Sequence, residues 1–306
     1  MRQILCVFLA LAPFGIQTSA AKDLTVASFN IRYKNSSDSI NGNGWHQRGP
    51  VICDLIRFHD FDVFGAQEVL HSQLLDMLAG LPGYDYVGVG RDDGKTKGEY
   101  APVFYKKDQF KVLQSGNFWL SEITDRPNKG WDAALPRICT WVKFEDIETG
   151  FQFFFFNLHM DHIGVKAREN SSRLVLKKIE EMCGDLPVIL TGDFNVDQNN
   201  PNYTVLAESG LLQDAYHAAK VRYALNGTFN SFQPHSMTGS RIDHVFVSPS
   251  FTVKRYGILT DTYRTPAADS KPEKPGDFPR EVSLTPYVAR TPSDHFPVMV
   301  VLGFGD

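Results

Sequence analysis

The sequence predicts an α/β layered domain, and three observations carry that prediction. Apolar runs of strand length recur along the whole 306-residue chain. Stripes of apolar residues at helical spacing lie between groups of these runs. Many of the runs end abruptly in acid, amide or imidazole side chains. Strands and helices that must each bury one face settle into a small set of layered arrangements. Taken in order, 24–29 reads as a buried strand, Val51, Ile52, Leu55 and Ile56 mark a helix, and 62–67 returns to strand. Leu70, Leu74, Leu75 and Leu78 give a second helical stripe. Strand-like runs follow at 84–89, 102–105, 112–120, 138–144 and 151–158, the four phenylalanines 153–156 reading as a strand buried on both faces. Val175, Leu176, Ile179 and Met182 mark another helix, and 188–190, 245–247 and 298–302 are later strands. No internal repeat and no linker divides the chain. The segment 261–292 carries six of the 17 prolines and reads as a long ordered loop, a kind that is often functional.

Composition narrows the class. With 42% hydrophobic and 22% charged residues the chain is an ordinary globular protein, neither disordered nor collagen-like. Lys and Arg number 31 against 35 Asp and Glu, a net charge of -4. That balance argues against coating nucleic acid by bulk charge, which runs on Lys/Arg–phosphate contacts. It leaves open one focused site for a phosphate ester. The N-terminus has Arg2, an apolar run over 4–12, and small residues at Thr18, Ser19, Ala20 and Ala21. This layout predicts a signal peptide over 1–20, a domain over 21–306, and a secreted or periplasmic protein. The apolar run is too short to span a bilayer, and no later segment is long enough. Losing 1–20 removes Arg2 and no acid, which shifts the net charge to -5. The remaining Cys53, Cys139 and Cys183 are odd in number and lie in apolar stretches, so free buried thiols are expected.

Six clusters place polar chemistry where apolar strands stop. They are Ser28-Phe29-Asn30, Gln67-Glu68, Asn157-Leu158-His159, Gly192-Asp193-Phe194-Asn195, Arg241-Ile242-Asp243-His244 and Ser293-Asp294-His295. A carboxylate buried at a strand end costs several kcal/mol unless it is paired or binds metal. If the strand ends converge, they form a site of hard oxygens, amides and imidazoles, which suits Mg²⁺ or Mn²⁺. Hydrolysis of a phosphate ester uses that set: a metal to neutralise phosphate charge, a base for water, and amide donors for phosphoryl oxygens.

In this order the clusters resemble the endonuclease/exonuclease/phosphatase family over roughly 24–302. The resemblance implies a four-layer α/β/β/α sandwich of two packed, mainly antiparallel mixed β-sheets, and Mg-dependent (or Mn-dependent) cleavage of a phosphate ester. Carried over residue by residue, it makes Glu68 the principal metal ligand, with Asn30 and Asp294 beside the metal. His295 takes the proton of the attacking water and Asp243 fixes its tautomer. Asp193 and Asn195 lie against the scissile phosphate, Asp193 in proton transfer and Asn195 on a phosphoryl oxygen; an extended segment would point both to one side, and an Asx turn closing the strand is the other reading. His159 contacts the phosphate or assists the leaving group, with Glu99 as its partner. Asn30 also binds substrate. Arg137, just before a strand, has the fork that matches phosphate, or else forms a structural salt bridge. The polar loop 90–95 could line the mouth, and Asp161 and His162 either support the site or cap the next helix.

No branch of the family is singled out. Without 1–20 the chain lacks an even cysteine set, and it lacks a basic run for tracking a nucleic-acid backbone, an apolar hairpin for lipid, and a cationic cluster for inositol polyphosphates. The segments 118–122 and 129–132 look most like those of secreted bacterial members. The leading expectation is a phosphodiesterase, with a nuclease included. The alternatives are a phosphomonoesterase, a sphingomyelinase- or inositol-phosphatase-like hydrolase, or a non-catalytic binding protein of the same fold. The expected partner is a phosphate-ester substrate (nucleic acid, nucleotide, lipid or sugar phosphate), met by a monomer. Five acids at one rim (Glu68, Glu99, Asp193, Asp243 and Asp294) would repel a phosphate until a cation is bound, which favours a small or transiently held substrate.

Overall fold

The structure is a computed structural model that describes residues 22–304 apart from 269–270, 273–275 and 278; the expected signal segment 1–20 lies outside the described residues. The chain opens with β1 (Lys22–Asn30), α1 (Ser36–Ile40), α2 (Trp45–Phe58), β2 (Val63–Gln67), α3 (His71–Gly80), β3 (Tyr84–Val87), β4 (Val103–Lys106) and β5 (Phe110–Trp119). Next come β6 (Ile138–Asp146), β7 (Gln152–His159), α4 (Val165–Cys183), β8 (Val188–Asp193), α5 (Pro201–Ala207), β9 (Gln213–Asp214) and α6 (Ala215–Ala218). It closes with β10 (Val221–Tyr223), β11 (Asp243–Val247), β12 (Thr252–Ile258), β13 (Tyr263–Pro266), β14 (Tyr287–Arg290) and β15 (Val298–Phe304). No helix among the described residues is long and apolar enough to cross a membrane.

Two large sheets carry the architecture. A seven-stranded sheet runs β10-β12-β15-β1-β2-β4-β3 and a six-stranded sheet runs β5-β6-β7-β8-β11-β9. Pairing is parallel at β1/β2, β10/β12 and β7/β8 and antiparallel elsewhere. Three apolar clusters glue four layers. Between the sheets lie Val26, Val63, Phe153, Phe155, Ile189, Val245 and Val300. Outside the first sheet, Phe29, Phe64 and Phe104 meet Ile52 and Ile56 of α2 and Leu74 and Met77 of α3. Outside the second, Phe154, Phe156 and Leu190 meet Val175 and Ile179 of α4 and Leu206 of α5. This is the expected α/β/β/α sandwich, and 153–156 are buried on both faces as their unbroken apolar run predicts. Among the described residues Cys53, Cys139 and Cys183 are free and buried.

Some expectations need correcting. Leu75 is exposed; the buried stripe of α3 is Gln73, Leu74 and Met77, because 3.6-residue periodicity turns position 75 outward. The segment 261–292 is not only loop, since β13 and β14 pair as an antiparallel hairpin within it. Short elements with mixed polarity gave no apolar signal. Among them α1 and α5 went unassigned; in the structure each is capped by an asparagine, Asn35 accepting from the Asp38 N–H and Asn200 capping α5 ahead of Pro201.

The inner faces explain where the site lies. Side chains two apart on a strand share a face. Along β1 that face reads Leu24, Val26, Ser28, Asn30; along β7, Phe153, Phe155, Asn157, His159; along β8, Ile189, Thr191, Asp193. The antiparallel β11 runs the other way, with Asp243 at its start and Val245 and Val247 beyond. Each strand therefore passes from apolar core to polar end at the same end of the sandwich. Between the two regimes sits a band of amides and hydroxyls. Gln67 Nε2 donates to Asn157 Oδ1 at 2.7 Å, and Thr191 Oγ1 donates to the same oxygen at 3.0 Å. Asn157 Nδ2 donates to the carbonyls of Ala66 (2.7 Å) and Pro102 (2.9 Å), which ties the two sheets together. Gly65 faces this band, and a Cβ there would collide with Asn157 and Thr191.

Candidate active site

The polar ends of both sheets meet in one cleft of 530 Å³. From the first sheet come Asn30 at the end of β1, Glu68 just past β2, and Asp294 and His295 just before β15. From the second come His159 at the end of β7, Asp193 at the end of β8 and Asp243 at the start of β11. Glu68, Glu99, Arg137, His159, Asp193, Asn195, Asp294 and His295 all line the cleft. Asp243 is fully buried behind it.

Hydrogen bonds cross between the sheets at the cleft floor. His295 Nδ1 lies 2.8 Å from Asp243 Oδ2, which orients the imidazole with Nε2 toward the cleft side. Nε2 is 3.8 Å from Asp193 Oδ2, and His159 Nε2 approaches that same oxygen at 3.5 Å. Asn30 Nδ2 donates to Asp193 Oδ2 (2.9 Å) and to Glu68 Oε1 (3.2 Å), while its Oδ1 accepts from the Arg32 N–H at 3.0 Å. Glu68 Oε2 accepts from the Tyr33 N–H at 3.1 Å. Glu68 itself has a left-handed backbone, φ 60°, which turns its carboxylate off the strand line. Asp193, Asp243 and His295 offer three ligand atoms within 4.8 Å of one another, a buried group of acid and imidazole that could bind a metal.

Burial and mutual charge set the protonation pattern. Burial, with Asp243 adding to it, pushes the Asp193 carboxyl up to about 7. Burial also raises Asp294 and Glu99, and the charge of Glu68 adds to both. Four cleft carboxylates thus repel one another, the arrangement that a divalent cation relieves. The two histidines diverge. Burial opposes the charged form of His295, yet Asp243, Asp193 and Asp294 outweigh it and hold its value well above 6.5. His159 is held well below 6.5 by burial and by the cations Arg137 and Arg91.

Several expected roles take a different local form. The segment through Asn195 is not extended, because Asn195 has φ 51°; its N–H donates to Asp193 Oδ1 at 3.0 Å, an Asx turn that closes the strand. Its Nδ2 donates to the Met160 carbonyl. Glu99 lies 3.8 Å from His159 Nδ1, which has no hydrogen-bond partner among the described residues. The Glu99 carboxylate is instead grasped by both terminal nitrogens of Arg91, at 2.8 and 2.9 Å. Asn30 presents N–H donors to the two carboxylates and keeps its oxygen on the backbone, so it bridges acids and is not placed as an oxygen ligand. Arg137 forms the structural salt bridge, Nε donating to Asp161 at 3.3 Å, and its side chain lines the cleft. Asp161 supports the site, accepting from the N–H groups of Ala134, Leu135, Ile163 and Gly164.

Sequence reasoning did not assign Arg32, Tyr33 or Arg91, which also line the cleft. Arg91 stood in the loop singled out for the mouth, but its pairing with Glu99 needs the fold. Arg32 (φ 59°) follows Asn30, and its Nε lies 3.0 Å from Asp38 and 3.7 Å from Asp294.

The profile of the Endonuclease/Exonuclease/phosphatase family matches residues 27–295. A solved structure of an endonuclease/exonuclease/phosphatase family protein from Bacteroides thetaiotaomicron is 56% identical, covering 93% of this chain and 98% of that one at a TM-score of 0.86. A mannosyl-6-phosphatase from Bacteroides thetaiotaomicron VPI-5482 is also 56% identical, covering 91% of this chain and 99% of that one at a TM-score of 0.84. An uncharacterized protein of Acanthamoeba polyphaga mimivirus is 28% identical over 229 residues, which is 71% of this chain and 76% of that protein.

Proposed function

This chain belongs to the endonuclease/exonuclease/phosphatase family, and from that premise we propose that it is a divalent-metal-dependent phosphomonoesterase acting on small phosphorylated molecules. The observation that carries the reading is the cleft itself: an Asp243–His295 pair, a shared Asp193 and two further carboxylates around 530 Å³, room for a small substrate. The name of the mannosyl-6-phosphatase, a relative matched along nearly its whole length, supports a sugar phosphate. This moves the reading from diester to monoester. The signal-like pattern of 1–20 supports export, and the proposed enzyme works outside the cytoplasm as a monomer.

The residues fit a hard divalent cation such as Mg²⁺ or Mn²⁺. Glu68 and Asp294 are the carboxylates to hold it, because Asp243 is already engaged by His295 and Asn30 by its two acids. A cation held there supplies charge neutralisation for the phosphoryl oxygens. His295 Nε2 accepts a proton from water, and Asp243 fixes the tautomer and steadies the charge that results. Asp193 lies between the two imidazoles and moves a proton at Oδ2. Neutral His159 sits on its other side, at the leaving oxygen. Since a base must be uncharged and His295 is held above its ordinary value, activity falls as pH drops through that raised value.

The test is turnover of p-nitrophenyl phosphate and mannose 6-phosphate with Mg²⁺, Mn²⁺ or EDTA, against bis(p-nitrophenyl) phosphate. The expected result is metal-dependent release of phosphate from monoesters, abolished by EDTA. Metal-dependent cleavage of the diester alone would overturn the monoester reading, and no metal-dependent turnover of any ester would overturn the enzyme.

A further inference from the structure

We infer that Arg91 and Arg137 form a two-guanidinium clamp for the non-bridging oxygens of a dianionic phosphoryl group, and that this clamp selects monoesters over diesters. The inference rests on the proposed hydrolase and deepens it, naming the group that reads substrate charge. Both side chains are more than nine-tenths buried and both line the cleft. Each has a buried N–H donor without a hydrogen-bond partner among the described residues: Nε of Arg91, 4.0 Å from Asp92 Oδ1, and Nη1 of Arg137. A buried guanidinium donor left unpaired is costly, and these two belong to side chains that line the cleft.

The cations are also held where they repel. Each lowers the proton affinity of His159, and Arg137 acts the same way on Arg91. Like charges gathered in one buried place are tolerated when an anion sits among them. What each already holds leaves a donor free. Arg91 spends its two terminal nitrogens on Glu99, and the Trp119 indole N–H donates to its backbone carbonyl at 2.8 Å. Arg137 spends Nε on Asp161 and Nη2 on His162 Nδ1, 3.0 Å away. The guanidiniums are fixed by these partners while Arg91 Nε and Arg137 Nη1 remain. A monoester dianion has one more negative oxygen than a diester and no second substituent on phosphorus. Two fixed guanidinium donors therefore favour it on charge, and the absence of a second substituent leaves its oxygens open to both.

Arg91→Gln and Arg137→Gln are the variants, with Arg91→Lys keeping the charge but not the fork. Two readouts separate the clamp from the reaction. The first is kcat/KM for p-nitrophenyl phosphate divided by that for bis(p-nitrophenyl) phosphate. The second is binding of inorganic phosphate by calorimetry in the presence of Mg²⁺, which needs no turnover. The expected result for Arg91→Gln is a fall of roughly 10- to 100-fold in both, the scale of a hydrogen bond to a charged group. Arg91→Lys recovers part of the loss. Equal loss on both esters, with phosphate binding unchanged, would overturn the clamp. If wild type turns over no ester, the hydrolase reading fails, while phosphate binding that weakens in Arg91→Gln still supports the clamp. Phosphate binding that ignores both arginines overturns it whatever the turnover.

Discussion

The two ends of the sandwich interior are built from the same strands by the same alternation, and they do opposite work. At one end the inward positions are Val26, Phe153, Phe155, Ile189 and Val245, which bury area and nothing else. At the other they are Asn30, Asn157, His159, Asp193 and Asp243, buried to a similar degree and held by hydrogen bonds and ion pairs to one another, to nearby side chains and to backbone groups. The apolar end is stabilised by removing surface from water, at about 25 cal/mol per Å². The polar end gains little net stability from its pairs, because desolvation offsets their attraction. It holds because the apolar end and the Asn157–Gln67–Thr191 band fix the two sheets in one register. Chemistry sits where stability is poorest, and stability sits where no chemistry is needed.

The sharpest test is to empty each end in turn. His295→Ala removes the base and should lower kcat by about 10²- to 10⁴-fold, read in steady-state assays with saturating metal. A variant within tenfold of wild type would break the assignment of roles at the polar end. Phe155→Ala at the apolar end should cost about 3–5 kcal/mol in chemical denaturation, while the folded fraction keeps its kcat. If Phe155→Ala left stability intact and cut the rate, the division of labour would fail.

The band between the ends should show an intermediate effect. Asn157→Ala removes the side-chain hydrogen bonds to the carbonyls of Ala66 and Pro102 and the oxygen that the Gln67 amide and Thr191 hydroxyl share. Each buried group left unpaired costs about 1–3 kcal/mol, and a small loss of kcat should accompany it as the strand ends loosen. Loss of stability with kcat wholly unchanged would show that the band holds the sheets without positioning the site.

How much of this was legible in the sequence follows the same division. Apolar runs located the long central strands, since burial on one or both faces leaves that trace, except β12, whose pattern is broken by Lys254, Arg255 and a register shift between Val253 and Arg255. The short β9, β10, β13 and β14 left none, being two to four residues each with mixed polarity. In the site, residues at the very ends of long strands were legible because an acid or imidazole interrupts an apolar pattern there. That holds for Asn30, Glu68, His159, Asp193, Asp243 and His295. Partner choice was not legible. That Glu99 answers to Arg91 before His159, and that Asn30 turns its donors toward two carboxylates, depends on how separate loops fold against each other. The positive φ at Glu68 likewise has no sequence signature, whereas that at Asn195 falls on a residue type that tolerates the left-handed region.

The smallest effect to measure is within the polar end, between two imidazoles that share one carboxylate oxygen. His159 Nε2 and His295 Nε2 stand 3.5 and 3.8 Å from Asp193 Oδ2, yet their environments push them apart. His295 faces Asp243, and its folded value is raised above the usual 6.5 despite burial. His159 is buried with Arg137 and Arg91 nearby, and its value is lowered below 6.5. In protein kept metal-free with EDTA, nitrogen-15 NMR of the histidine rings should therefore find His295 charged through pH 6.5, losing its proton only above it. His159 should be neutral at that pH, gaining a proton only below it. Asp243→Asn removes the charge that raises His295, so its titration should move to lower pH while His159 stays low. The two rings titrating together near about 6.5, the unperturbed value, would erase the contrast. It would mean that water reaches the cleft floor freely and that the polar end is not a buried extension of the core.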